Sequence, residues 1–184
     1  MLSQSQVDKL YEGLEENITH ATLGENEQIY GELNFYAARK LLKHLAMQRG
    51  DQFLDIGSGF GRLLIHSALE TKASKIYGIE IHSKRYEIAR KAIGRLPDAI
   101  IDKIVNLKAD FCEVDFNNIT HVYTCSTVFR PQLLSSIGSK INEMPSVRVI
   151  ASLRKIPNLA RHKLSTIKYV GCSWETVPCY IYSA

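Results

Sequence analysis

Phe53-Leu54-Asp55-Ile56-Gly57-Ser58-Gly59-Phe60-Gly61-Arg62 is an apolar run that ends in an acid and then sets glycines at 57, 59 and 61. The run predicts a buried strand, the glycines a tight turn, and Leu63 to Thr71 a helix leaving that turn. Glycines in such a turn reach backbone angles closed to other residues and let a ligand lie against bare main chain. A nucleotide-sized landing site follows. A dinucleotide fingerprint counted from Gly57 needs glycine or alanine at position 62, where this chain has Arg62, so a pyrophosphate cradle is disfavoured. Asp55, at the carboxyl end of the strand, is placed to attract a cationic group instead.

Lys75-Ile76-Tyr77-Gly78-Ile79-Glu80 reads as a second strand, also ending in an acid. Glu80 lies as far beyond the glycines as the ribose-binding acid of a nucleotide-binding βαβ unit. A helix is expected from Ser83, as a possible cap, to Leu96, with Pro97 stopping it. Ile104 to Ala109 reads as a third strand running into Asp110-Phe111, where a doubly wound sheet offers an acid and a ring to a purine. Ile119 to Thr124 is the fourth strand, Pro131 to Asn142 a helix, and Val147 to Leu153 the fifth strand. Lys163 to Cys172 and Glu175 to Tyr182 then read as two strands in succession, an antiparallel pair.

Upstream, Val7, Leu10, Tyr11, Leu14 and Ile18 recur at helical spacing over residues 4 to 20. Residues 21 to 28 read as a loop that delivers Ile29-Tyr30-Gly31-Glu32 to a second helix, from Asn34 to Gln48. The expected fold is α/β and Rossmann-like: a mostly parallel seven-stranded sheet, an antiparallel C-terminal hairpin, and helices on both faces. The 184 residues suit one domain, with helices and a covering loop in residues 1 to 50 and the core in 51 to 184.

Apolar content of 45% and charged content of 23% are those of a globular chain, and no apolar run nears the roughly 18 residues of a membrane helix. Met1-Leu2-Ser3-Gln4 begins no secretory signal pattern, so the expected compartment is the cytoplasm. Four cysteines without a C-x-x-C pair, and six histidines without zinc-ligand spacing, predict reduced thiols and no metal. The net charge of +4 is unevenly spread: residues 1 to 32 hold seven acids against Lys9, whereas from Arg148 onward six Lys or Arg face Glu175 alone. A basic end can favour an acidic partner.

With these residues placed, the chain resembles class I S-adenosylmethionine-dependent methyltransferases, and among them the disruptor-of-telomeric-silencing (Dot-type) protein-lysine methyltransferases. The resemblance rests on Tyr30-Gly31-Glu32, on Asp55-Ile56-Gly57-Ser58-Gly59-Phe60-Gly61 with Gly78-Ile79-Glu80, on Val122 to Pro131, and on Gly171-Cys172-Ser173-Trp174 with Pro178 and the tyrosines at 180 and 182. It implies S-adenosylmethionine as cofactor, held by Tyr30, Glu32, Asp55, Gly57, Ser58, Gly59, Gly61, Glu80, Ile81, Ala109, Asp110 and Phe111. It also implies a protein partner with an accessible lysine; nucleic acid is possible but not indicated, and no membrane partner is expected. Where that family has paired asparagines this chain has Cys125-Ser126, and its channel tyrosine aligns with Ile181.

Methyl transfer is an in-line displacement, so the protein must align the reacting atoms and exclude water. Glu32 and Ser126 are the candidate catalytic residues, Ser126 orienting the acceptor amine. An apolar channel walled by Phe111, Phe129, Trp174 and Tyr36 would help a lysine shed its proton. Two alternatives stay open: a methyltransferase acting on RNA or a small molecule, and a cofactor-binding module without catalysis.

Overall fold

β1 (Gln52–Ile56) is an interior strand, third in a seven-stranded sheet of order β3-β2-β1-β4-β5-β7-β6. The structure, a computed structural model, describes residues 3–14 and 31–184. β1 pairs in parallel with β2 (Lys75–Glu80) and β4 (His121–Thr124); β3 (Ile104–Lys108) and β5 (Val149–Ser152) extend the parallel part to either side. β7 (Thr176–Ser183) then runs antiparallel between β5 and β6 (Lys163–Gly171). This is the expected fold.

Alternation along β1 divides the core in two. Phe53 packs on one side of the sheet with Leu41, Leu64, Ile65 and Ile88, drawn from α2 (Phe35–Leu45), α3 (Arg62–Glu70) and α4 (Ser83–Ile93). Leu54 and Ile56 pack on the other side with Val122, Ile150 and the Ile137 and Ile141 of α6 (Pro131–Asn142). Successive side chains of a strand face opposite ways, so a strand buried on both faces reads as an unbroken apolar run. That is why β1 was legible.

Several boundaries differ from expectation. α1 (Gln4–Lys9) is capped by Ser3 and ends well before residue 20; Gly13, at φ +74°, follows in a turn. Ile18, the loop at 21 to 28 and Tyr30 lie outside the described residues. α2 is capped by Asn34, whose side chain accepts from the Ala37 N–H, and ends where Ala46 turns left-handed. Ser83 is the first helical residue and not a cap: His82 takes the cap position, with no side-chain cap bond. A short α5 (Asp98–Ile101), unforeseen, leads into β3.

Gly138 sits where α6 crosses the segment after β5, and a Cβ there would overlap the Pro157 carbonyl and press on Ile156. Because backbone cannot move aside as a flexible side chain can, Gly138→Ala should cost about 1–3 kcal/mol of stability. A lower urea midpoint at unchanged slope would register this; an unshifted midpoint would contradict it.

Candidate cofactor site

The carboxyl ends of β1, β2 and β4 open onto two cavities that meet at Gly57. One, of about 300 Å³, is lined by Glu32, Asp55, Ser58, Arg62, His66 and Tyr123. The other, of about 340 Å³, is lined by Glu80, Ile81, Ala109, Asp110, Phe111 and Phe129. Gly31, Gly57 and Cys125 line both, so the crevice is continuous. Strand alternation accounts for the split: Asp55 turns to the α2–α3 side and Ile56 to the α6 side.

The structure therefore brings together most of the predicted cofactor residues. Gly57, at φ +77°, closes the turn, and its N–H and that of Ser58 donate to the Ile79 carbonyl. A Cβ on Gly57 would stand 3.3 Å from the Phe129 ring, so the crevice floor there is bare backbone. Gly59 and Gly61 do not line either cavity. Gly59 N–H donates to Glu80 at 2.8 Å, and Gly61 caps α3 while packing on Ala89. The other Glu80 oxygen accepts from the His82 N–H at 2.8 Å, so the carboxylate is held between two strand ends. Asp110 accepts from the Cys112 N–H, opening a 3-10 turn, and Phe111 stacks on Phe116.

Asp55 is 3% exposed and one of its oxygens has no hydrogen-bond partner. Burial, and then the nearby Glu80 charge, push its carboxyl up to about 8. Glu32 forms an ion pair with Arg62 at 3.0 Å, and Arg62 lies 4.0 Å above the Tyr11 ring, so the N-terminal segment is drawn over this end of the crevice. Cys125 donates to the Gly31 carbonyl at 3.3 Å; burial first, and then Cys172, push its thiol up to about 12, leaving no thiolate nucleophile. Among the described residues, no group of three or more His, Cys, Asp or Glu is placed to hold a metal ion.

Two sequence expectations need correction. Ser126 is fully buried, its hydroxyl bonded to Ser152 at 2.8 Å and accepting from the Arg154 N–H at 3.0 Å, and it lines neither cavity. That hydroxyl is occupied in structure and is not presented to an acceptor. The four aromatics do not form one channel: Tyr36 is 72% exposed and turned edge-on to Phe35, while Trp174 covers Gly31 from outside. Ile181 is a core residue of β7. Arg62, His66 and Tyr123 went unforeseen, although Arg62 and His66 stand four residues apart on one helix face, a spacing that was readable.

The fold recurs in solved structures. The magnesium protoporphyrin IX methyltransferase of Synechocystis PCC 6803 with bound S-adenosylmethionine is 12% identical at TM-score 0.65, the match covering 100% of this chain and 98% of that one. An RNA methyltransferase from Salinibacter ruber in complex with S-adenosyl-L-homocysteine is 21% identical at TM-score 0.58, covering 79% and 88%. The chain thus shares the fold of these methyltransferases, whose structures hold S-adenosylmethionine or its product. The residues fit that group: the unpartnered Asp55 oxygen suits an α-ammonium, Glu80 two ribose hydroxyls, and Asp110 with Phe111 an adenine. If Asp55 takes the ammonium, binding below pH 8 must release a proton. Between pH 6 and 7.5 affinity should then rise with pH by up to about tenfold per unit. Calorimetry in buffers of different ionisation heat measures this directly, and Asp55→Asn should abolish it; no proton release in the wild-type protein would remove Asp55 from that role.

A curated relative, the H3 lysine-79 specific histone-lysine N-methyltransferase of Drosophila melanogaster, is 32% identical over 53 residues, which are 29% of this chain and 3% of that protein. The family model described as histone methylation protein DOT1 matches residues 19–128, more than half of the sequence. With its glycine turn, its paired acids and its sheet order in place, the chain belongs to the DOT1 family.

Proposed function

We propose that this chain transfers the methyl group of S-adenosylmethionine to a nucleophilic atom of RNA. The observation that carries the reading is a basic and aromatic face beside the crevice. Arg154 donates to the carbonyl of Phe129, a residue of the crevice wall. Next to it Lys155 lies 5.8 Å from the centre of the Tyr180 ring, and Arg154, Lys155, Leu164 and Tyr182 line an adjoining groove. Leu164, Ile167 and Tyr169 of β6, all exposed, are paired with Tyr182, Tyr180 and Pro178 of β7 and so share their face. Cations meet phosphates and rings stack on bases, whatever the sequence. The likeness to the Salinibacter RNA methyltransferase supports the same choice.

The bound cofactor supplies a methyl group on a sulfonium, open to in-line displacement. Asp55 would fix its amino acid end, Glu80 its ribose and Asp110 with Phe111 its adenine, and the bare backbone at Gly57 lets it lie close to the sheet. Tyr123 and Cys125, both neutral, keep charge away from the wall between the two cavities. Orientation and exclusion of water are then the protein's contribution, with no protein nucleophile required.

A second reading is methyl transfer to a protein lysine. It is supported by the DOT1 family membership and by the lysine-79 specificity of the Drosophila relative. A wall of uncharged groups would disfavour a lysine ammonium and help release the amine.

Incubation of the protein with methyl-labelled S-adenosylmethionine and a lysate of its own organism separates the two. Label removed by ribonuclease and not by protease is the expected outcome; the reverse would establish the second reading. Lys155→Ala should weaken RNA binding and flatten its dependence on log salt by about one unit, with cofactor affinity unaltered. An unchanged slope would exclude this face as the RNA path.

A further inference from the structure

His66 has no part in the function described above, yet it is 3% exposed and lines the same cavity as Asp55. It stands one turn after Arg62 on α3, with the Phe35 ring set edge-on to it at 5.0 Å. Its Nδ1 lies 3.3 Å from Glu70 Oε1, and the second Glu70 oxygen accepts from Arg39 Nε at 2.7 Å. A carboxylate held by Arg39 can only accept, so Nδ1 carries the hydrogen and Nε2 the lone pair. Nε2 has no hydrogen-bond partner among the described residues, and the ring borders open cavity. Burial keeps the imidazole below its ordinary range despite Glu70, which leaves it neutral at pH 7.

A buried, neutral acceptor of fixed tautomer, in a cavity that also holds the Asp55 and Glu32 carboxylates, suits a ligand that brings N–H donors and positive charge. We propose that His66 Nε2 accepts a hydrogen bond from the α-ammonium of S-adenosylmethionine, with Glu70 and Arg39 as positioning residues that hold its tautomer. The assignment goes beyond the choice of methyl acceptor and holds for either. The ammonium carries three hydrogens, of which Asp55 can take one or two, so the two acceptors do not compete. Glu32 and Arg62, paired at 3.0 Å, line the same cavity and offset each other's charge, which leaves Asp55 and the imidazole to meet the ammonium.

The test compares two ligands in calorimetry: S-adenosylmethionine, and 5′-methylthioadenosine, which keeps the adenosine and lacks the amino acid end. His66→Leu should weaken S-adenosylmethionine by about tenfold to a hundredfold, the range for a hydrogen bond to a charged group, and leave 5′-methylthioadenosine within about twofold. Glu70→Gln, which frees the tautomer, should weaken S-adenosylmethionine by a smaller factor with the same selectivity. His66→Gln, which keeps an acceptor at similar reach, should restore part of the loss. Equal weakening of both ligands would show that His66 only packs the cavity wall and would overturn the proposal, as would unaltered S-adenosylmethionine affinity in a folded His66→Leu protein. Should His66→Leu fail to fold, Glu70→Gln and His66→Gln decide the matter by the same comparison.

Discussion

The Glu80 carboxylate, taking the Gly59 N–H on one oxygen and the His82 N–H on the other, is the contact on which the site depends. A glycine turn left to itself samples many conformations, and holding one of them has an entropic cost. Here the cost is met by a charge-assisted bond from the neighbouring strand, roughly twice as strong as a neutral one. The bond also fixes where Glu80 lies, because a carboxylate clamped between two backbone donors has little freedom left. Turn and acid thus position each other, and the cavities on either side of Gly57 inherit their shape from that one arrangement.

Across the turn, the two acids are held in opposite ways. Glu80 is matched by donors from its own chain, whereas Asp55 is buried beside Tyr123 with one oxygen unmatched. An unsatisfied buried acceptor costs free energy in the folded protein, and its carboxyl rises toward the neutral form as a result. Such a residue belongs to a site awaiting a donor. The chain tolerates the deficit because α2, α3 and the β1 neighbours surround it with well-packed apolar groups.

How far the sequence could be read follows from the range of each interaction. Strands buried on both faces announce themselves as apolar runs, and the acids at their ends fall at the crevice by topology alone, so Asp55, Glu80 and Asp110 were within reach. Tyr36 was misread because adjacent positions on a helix point about 100° apart; Phe35 faces the cavity, and Tyr36 cannot. Ser126 was misread because its partners, Ser152 and the Arg154 N–H, come from the end of another strand. Nothing local marks a hydroxyl as already engaged. His66 had the same difficulty in reverse: its spacing from Arg62 was visible, but its fixed tautomer depends on Arg39, a residue of a different helix.

The order β5-β7-β6 has a bearing on how the chain is made. β6 leaves the ribosome before β7, and among the described residues its strand partner in the sheet is β7, which has still to be made. Until then β6 is a nascent strand with both edges bare and with Leu164, Ile167 and Tyr169 unsheltered, a segment prone to pair with other chains. Completion of the sheet therefore depends on β7, and the groove beside Lys155 cannot exist before it.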